Sequence, residues 1–184
     1  RGIQFMQFIP IVERLPDSRA RELGLDLATP PDVHSRDNPD EVTAFSVEPA
    51  QYGQFLIDIF EEWKRRDIGK IFVNHFDLAL HSWVGMPPPL CVYAKTCGNA
   101  MVLEHDGSVY ACDHFVYPEY RRGNVLEDDF QKILLNPKQQ EFGTSKWTAL
   151  PSCCKSCEFL QACHGGCLKH RFCVSPEGEP GRGE

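Results

Sequence analysis

The stretch "CCKSCEFLQACHGGC", residues 153–167, holds five of the nine cysteines of the chain. It contains the spacing C-x2-C-x5-C-x3-C, which runs from Cys154 to Cys167. Clustered thiols of this kind occur in iron–sulfur proteins, zinc proteins and disulfide-rich domains. The segment shows little regular hydrophobic pattern. Bound metal can replace a hydrophobic core there, because metal-binding free energy is also folding free energy.

The composition narrows the function classes. The chain has 184 residues, of which 42% are hydrophobic, and a net charge of −7. The hydrophobic fraction supports a packed core, and the acidic balance argues against nucleic acid or an anionic membrane as the main partner. No apolar run approaches the ~20 residues of a membrane-spanning helix. An odd number of cysteines and no recognisable secretory signal predict a cytoplasmic protein, in which clustered cysteines more often bind metal.

The first part of the chain predicts a strand, a helix and a strand. "IQFMQFIPIV" (3–12) is nearly continuously apolar and predicts a strand that is buried on both faces. Residues 14–45 predict a long irregular connection. Apolar spacing after a Ser46 N-cap predicts an amphipathic helix over 48–66. "KIFVNHF" (70–76) predicts a second strand, and in such a βαβ unit the two strands are expected to be parallel.

The second part predicts shorter elements. "MVLEHDGSVYAC" (101–112) predicts a β-hairpin that turns at Asp106-Gly107, because glycine tolerates positive φ. A helix near 126–141 is expected to break at Asn136-Pro137, since proline disfavours a helical conformation in the residue before it.

The spacing of the other cysteines bears on the choice of metal. They follow C-x5-C and C-x9-G-x4-C, and the predicted turn at Gly107 lets Cys97 and Cys112 approach one metal site from both ends. Zinc ribbons usually pair two C-x2-C knuckles, whereas this sequence has one C-x2-C beside wider gaps. Wider gaps suit a cubane cluster, in which each of four irons binds a separate cysteine. Spacing therefore favours two iron–sulfur clusters over zinc, and zinc over disulfides, and all three stay open.

The spacings resemble those of the SPASM domain of radical SAM enzymes, which binds two auxiliary [4Fe–4S] clusters. More narrowly, "CGNAMVLEHDGSVYACDHFVYPEYRRGNV" (97–125) and "FGTSKWTALPSCCKSCEFLQACHGGC" (142–167) resemble the anaerobic sulfatase-maturating enzymes. "IQFMQFIPIVE" (3–13) resembles a late strand of their barrel. The resemblance implies an α/β fold. The last βα elements of a radical SAM partial (β/α) barrel (1–80) would precede a small, cysteine-rich SPASM domain with a β-hairpin and short helices (81–184).

The resemblance also implies site residues. The first auxiliary cluster would be bound by Cys91, Cys97, Cys112 and Cys167, and the second by Cys154, Cys157 and Cys163. Asp113 would be the base for the substrate side chain, since a carboxylate beside a cluster can accept a proton while an electron leaves toward iron. Cys153 competes with Cys154 by its spacing. Cys173 is expected to be a bystander, with the last ligand of the second cluster beyond Glu184.

The implied function is that of the C-terminal portion of an enzyme that converts an active-site Cys or Ser of a sulfatase into Cα-formylglycine. The implied partners are the sulfatase polypeptide and an electron carrier such as flavodoxin or ferredoxin. The implied cofactors include S-adenosylmethionine (SAM) and a third [4Fe–4S] cluster. The C-x3-C-x2-C motif for that cluster does not occur in this sequence, so we expect a missing front part and no SAM cleavage by this chain alone. Two alternatives stay open: another peptide-modifying SPASM enzyme, and a non-catalytic zinc or electron-transfer module.

Overall fold

The computed structural model describes residues 2–31, 41–174 and 180–181, and over these ranges the chain is mixed α/β. The elements are β1 (Phe5–Met6), α1 (Ser18–Glu22), α2 (Pro49–Arg66), β2 (Phe72–Val73), α3 (Asn74–Trp83), β3 (Val102–Leu103), β4 (Ser108–Tyr110), β5 (Arg121–Asn124), α4 (Phe130–Leu134), α5 (Pro137–Thr148), α6 (Ser152–Lys155), α7 (Leu160–Cys163), β6 (Cys173–Val174) and β7 (Pro180–Gly181). In the part of the chain that the structure describes, no helix is both long and apolar enough to cross a membrane.

Both strands of the first part are shorter than the apolar runs that predict them. β1 and β2 pair with each other in parallel over two residues each, as expected of a βαβ unit. Ile3 and Ile9 are 73% and 74% exposed. The prediction of a strand buried on both faces over 3–12 is therefore wrong. The physical reason is that, among the described residues, β1 has β2 as its one neighbouring strand.

Two further segments of the first part differ from the prediction. Residues 14–45 contain α1, whose N-cap Asp17 accepts a hydrogen bond from the Ala20 N–H at 2.7 Å. Residues 32–40 of that segment lie outside the described residues. In the predicted strand 70–76, only β2 is extended, because α3 begins directly after it.

Helix α2 covers nearly the predicted range. It begins at Pro49, whose fixed φ suits the first helical turn. The N-cap residue is Glu48. The prediction of Ser46 as the N-cap is therefore wrong. The Ser46 hydroxyl instead accepts a hydrogen bond from the Glu13 N–H at 2.9 Å. The Ser46 side chain, which local capping rules assign to the helix N-terminus, is thus engaged in a tertiary contact.

A first core cluster lies between α2, β2 and α3. Its buried members are Trp63, Val73 and Phe76. The indole N–H of Trp63 donates to the Ile71 carbonyl at 2.7 Å, so the polar atom of this buried ring has a partner. The rings of Phe60 and Phe76 meet edge to face with centroids 5.1 Å apart. All these residues belong to the first part of the chain.

The second part is built on a three-stranded antiparallel sheet in the order β3-β4-β5. The segment predicted as a hairpin forms the β3–β4 pair, and in its turn the Asp106 carboxylate accepts a hydrogen bond from the Ser108 N–H at 2.9 Å. β5 was not predicted, because "RRGN" lacks the alternation that marks a strand. The predicted helix break at Asn136-Pro137 is confirmed, and Asn136 caps α5. α5 continues past the predicted end at residue 141.

A second core cluster lies in the same part of the chain. Its buried members are Ala111, Phe115, Phe142 and Leu168, and Cys97, Cys112 and Tyr120 pack against them. The Phe115 ring lies 5.0 Å from Phe142 between centroids, and their planes are inclined at 72°. The two cysteines therefore sit at the border between an apolar core and the polar side of α5.

Truncation of Trp63 should test the first core cluster. Trp63→Ala removes a 7% exposed ring together with its hydrogen bond, and we expect a loss of about 3–5 kcal/mol in the free energy of unfolding. Trp83→Ala makes the same change at a ring that is 52% exposed and should cost about 1 kcal/mol or less. Urea unfolding followed by circular dichroism measures both. Equal losses would show that the cluster is not a core.

Candidate iron–sulfur sites

Four cysteines from separate segments are neighbours in the structure. The Cys97 thiol interacts electrostatically with Cys91 and Cys167, and the Cys112 thiol interacts with Cys167. Cys91 is exposed and the other three are half-buried. We call Cys91, Cys97, Cys112 and Cys167 the first thiol group. It has the same members as the set that the sequence analysis assigns to one cluster.

The environment of this group favours neutral thiols in the cluster-free chain. Burial raises the pKa of Cys97 from 9.0 to about 11. Burial, and then the hydrogen bond to Asp113, raise the pKa of Cys112 from 9.0 to about 12. Burial also raises the pKa of Cys167. A metal ligand must be a thiolate, so binding of iron would displace these protons.

One face of α5 holds the backbone of the segments that carry these thiols. Gln139 is buried, and its side-chain amide donates to the carbonyls of Gly98 at 2.7 Å and Ala111 at 3.0 Å. Those two residues adjoin Cys97 and Cys112 in the chain. One turn later, the Gly143 carbonyl accepts a hydrogen bond from the Cys97 N–H at 3.1 Å.

Lys146 continues the same face of α5 and reaches the segment of Cys91. Its side chain is 1% exposed. The ammonium donates to the carbonyls of Cys91, Val92 (3.0 Å) and Ala94. Burial lowers the pKa of Lys146 to about 8, and the neighbouring Cys97 and Cys91 thiols act in the opposite direction. A buried positive charge thus lies beside the first thiol group.

The sequence did not lead us to predict Gln139, Gly143 and Lys146 as functional residues. The predicted helix ended at residue 141, so it did not place these three residues on one surface. A signal was present, because the spacing i, i+4, i+7 puts them on one side of a helix that starts at Pro137. A glycine between two polar residues on one helix face indicates close approach of another backbone.

The second set of predicted ligands is only partly brought together. The Cys154 thiol interacts with Cys153 and with Cys163. Cys157 donates its backbone N–H to the Cys154 carbonyl at 3.2 Å, and its side chain is exposed. The structure thus places Cys153 beside Cys154, and the choice between them as a ligand stays a prediction. Cys173 lies within electrostatic reach of Arg14.

Arg171 lies between the two sets of thiols. It is 2% exposed, and it interacts electrostatically with Cys97 of the first thiol group and with Cys154 of the second set. Its Nε donates to the Gly165 carbonyl at 3.1 Å. Gly165 has a φ of +75°, and a Cβ there would lie 2.4 Å from Leu150. Only glycine fits this contact without movement of the leucine.

No disulfide links the nine cysteines, all of which lie in the described ranges. Within those ranges, no three His, Cys, Asp or Glu side chains are arranged closely enough to hold a single metal ion. The four ligands of one zinc ion all lie about 2.3 Å from the metal when they are thiolates. In a cubane cluster each thiolate binds a different iron, so the ligands of a cluster stand farther apart.

Asp113 connects the first thiol group to a cavity of about 240 Å³. Its Oδ1 accepts hydrogen bonds from the Cys112 thiol at 3.0 Å and from the His114 N–H at 3.0 Å. The thiol hydrogen bond lowers the pKa of Asp113, so the side chain is a carboxylate at neutral pH. The cavity wall includes Lys169, which pairs with Glu13 at 2.5 Å.

Comparison with known proteins places these features in a class. Residues 91–158 match the SPASM family, described as an iron–sulfur cluster-binding domain. The matched range contains the α5 face and all but two of the predicted cysteine ligands. The chain therefore carries a SPASM-type iron–sulfur cluster-binding domain.

Relatives narrow the class further. The chain is 43% identical over 177 residues to a serine-type anaerobic sulfatase-maturating enzyme of Bacteroides thetaiotaomicron, a match that covers 96% of this chain and 41% of the relative. It is 28% identical over 180 residues to a cysteine-type enzyme of Clostridium novyi, with 97% and 42% covered. A solved structure described as native anSMEcpe with bound AdoMet and Cp18Cys peptide aligns with a TM-score of 0.66 at 26% identity, over 77% of this chain and 39% of that chain.

The chain is thus a homologue of the anaerobic sulfatase-maturating enzymes and corresponds to their C-terminal portion. It spans about two fifths of the length of the two curated relatives described above.

Substitution of Gly143 should test the contact between α5 and the first thiol group. Alanine is favoured over glycine within a helix by about 1 kcal/mol, but a Cβ at Gly143 would lie 2.4 Å from the Cys97 carbonyl oxygen. We therefore expect Gly143→Ala to lower the free energy of unfolding of the cluster-free chain by about 1–3 kcal/mol. Anaerobic denaturant unfolding under reducing conditions measures the change.

Thr144→Ala is the matched control for this test. Thr144 is the next residue of α5 and is exposed, so its substitution should change the stability by about 0.5 kcal/mol or less. A Gly143→Ala chain as stable as the wild type would show that Cys97 is not held against α5.

Proposed function

We propose that this chain is the C-terminal portion of a radical SAM oxidoreductase that converts an active-site Cys or Ser of a sulfatase polypeptide into Cα-formylglycine. The first thiol group would hold one auxiliary [4Fe–4S] cluster, and Cys154, Cys157 and Cys163 would hold another. Asp113 would be the base. One observation carries the proposal: Cys112 belongs to the thiol group, and the adjacent Asp113, 3.0 Å from its sulfur, lines the cavity.

The residues of the first thiol group fit an iron–sulfur cluster. All four donors are thiols, the soft ligands that such clusters require. One face of α5 holds the segments of Cys91, Cys97 and Cys112. The buried Lys146 would offset part of the negative charge of the bound thiolates. When bound, the cluster would supply an acceptor for one electron beside the cavity.

Asp113 is placed to take a proton from a substrate in the cavity. When Cys112 ligates iron as a thiolate, it no longer donates a hydrogen bond to Asp113. The His114 N–H still donates to Oδ1 and keeps the carboxylate oriented. The freed lone pair can then accept the proton of a substrate thiol or hydroxyl, the role of a general base.

The electron and proton balance assigns each group one task. The β-carbon of the target residue would lose a hydrogen atom to a 5′-deoxyadenosyl radical that arises from SAM at the third cluster of the whole enzyme. Its thiol or hydroxyl would lose a proton to Asp113. One electron would then leave toward the cluster held by the first thiol group and on to a carrier such as flavodoxin or ferredoxin. With a Ser target the product is the aldehyde itself, whereas with a Cys target it is a thioaldehyde, which water would convert into formylglycine with release of hydrogen sulfide. The adjacency of Cys112 and Asp113 lets the proton and the electron leave from one place.

Two core clusters support a division into residues 1–80 and 81–184. The first cluster draws only on the former range and the second only on the latter. The exposed Ile3 and Ile9 beside the parallel β1–β2 pair support a role for residues 1–80 as the last βα elements of a partial barrel, in which further layers would cover these side chains. The cavity lies between the two ranges, as expected of a substrate site.

Iron analysis of the anaerobically reconstituted chain tests the cluster assignment. We expect about eight irons per chain and broad absorption near 400 nm if both cysteine sets load. Cys97→Ser should lose about four irons relative to the wild type, because it removes one ligand of the first cluster. Cys173→Ser is the control and should keep the wild-type content. Zinc in place of iron, or equal content in both variants, would contradict the assignment.

Asp113→Asn tests the proposed base. In a chimera, this chain would replace the matching segment of the Bacteroides thetaiotaomicron enzyme, and formylglycine formation on Ser- and Cys-containing peptides would be followed by mass spectrometry. We expect the rate to fall about 10²-fold or more, because the amide cannot accept the proton, while iron content stays unchanged. Asp58→Asn, on the exposed face of α2, is the matched control. A rate for Asp113→Asn within about twofold of the control would exclude the role.

A further inference from the structure

Lys146 neither accepts the proton nor carries the electron in the proposed reaction, yet it is among the most buried side chains of the described residues, with 1% of its surface exposed. A lysine is almost never buried to this extent unless its charge is compensated. Here the backbone carbonyls of one short segment compensate the charge. That segment carries Cys91, a member of the first thiol group.

The Lys146 ammonium organises the turn that bears Cys91. An ammonium has three N–H donors, and the structure gives it three acceptors, the carbonyls of Cys91, Val92 and Ala94. Three carbonyls directed at one point fix the shape of the turn. The next residue of α5, Trp147, holds Lys95 over its ring at 4.2 Å from the centroid. Both contacts anchor the same loop to α5.

The charge of Lys146 lies within reach of three members of the first thiol group. It interacts with Cys97, Cys91 and Cys167. Interactions between buried charges are poorly screened by solvent. A fixed positive charge stabilises whichever state of a neighbouring group is more negative. For a cluster with four thiolates, that state is the reduced one, so the reduction potential should be higher with the lysine than without it.

We propose that Lys146 is a positioning residue for the first cluster, which holds the Cys91 turn in place and raises the reduction potential of that cluster. The inference rests on the proposed function, since it assumes that the first thiol group binds a [4Fe–4S] cluster. It assigns the lysine a part in setting how readily the cluster accepts the electron that leaves the substrate.

Three variants of the full chain test the proposal. Lys146→Met keeps the length of the side chain and removes the charge and the donors. Lys146→Arg keeps the charge. Lys138→Met makes the same change as the first variant at an exposed position of the same helix. Each chain is reconstituted anaerobically with iron and sulfide, and then analysed for iron content and by a redox titration followed by electron paramagnetic resonance.

We expect Lys146→Met to lose up to about four irons per chain and any remaining first cluster to show a lower midpoint potential. Lys146→Arg should restore most of the potential, and Lys138→Met should match the wild type. A purely structural lysine would not produce a potential that follows the charge. The titration is made in a Cys157→Ser background, so that the signal comes from the first thiol group.

Four results would overturn the inference. Lys146→Met could match the wild type in both iron content and potential, or Lys146→Arg could shift the potential as far as Lys146→Met does. Lys146→Met could lose iron equally from both cysteine sets. The single variants Cys97→Ser and Cys157→Ser, which each lack a ligand of one set, provide the reference for loss from that set. Circular dichroism could show that the cluster-free Lys146→Met chain is unfolded, which would make the lysine a general support of the fold. A wild-type chain that binds no iron would instead contradict the proposed function itself.

Discussion

The backbone contacts of α5 are the constraint on which the placement of three members of the first thiol group depends. Four thiols from distant segments gain nothing from proximity alone, because their thiolate forms repel one another and burial disfavours the charged state. Polar contacts to the main chain offset this free-energy cost of bringing the thiols together. Gln139, Gly143 and Lys146 hold the loops of Cys112, Cys97 and Cys91 respectively. Because these contacts are made to backbone atoms, they fix where the loops lie while the thiols remain available for ligation.

In the proposed function, the same arrangement would place the base beside the first cluster. The second core cluster packs against Cys112, and the next residue, Asp113, lines the cavity. The N-terminal range also lines the cavity, and its Glu13 pairs with Lys169. A substrate in the cavity would therefore contact both ranges of the chain. Binding at such a junction is typical of small-molecule and peptide sites.

Local chemistry explains which parts of the fold could be predicted. The α2 range followed from apolar residues at helical spacing, and the break before α5 followed from Asn136-Pro137. Both depend on neighbours a few residues away. The strands were predicted too long, since an apolar run such as 3–12 shows what could be buried and does not show which strands lie beside it. The N-cap of α2 was assigned to Ser46, whose hydroxyl is engaged by Glu13 from a distant segment.

The sequence by itself predicted a thiol-rich site and favoured iron–sulfur clusters. The cysteine spacing and the position of Asp113 next to Cys112 can be read directly from the sequence. Through the family resemblance, they group Cys91, Cys97, Cys112 and Cys167 as ligands of one cluster. Only the tertiary structure decided what holds that group together and what lies beside it. The α5 face, the buried Lys146 and the cavity next to Asp113 arise from contacts between segments far apart in sequence. Such contacts depend on how helices and loops pack in three dimensions, and no local spacing rule encodes that packing.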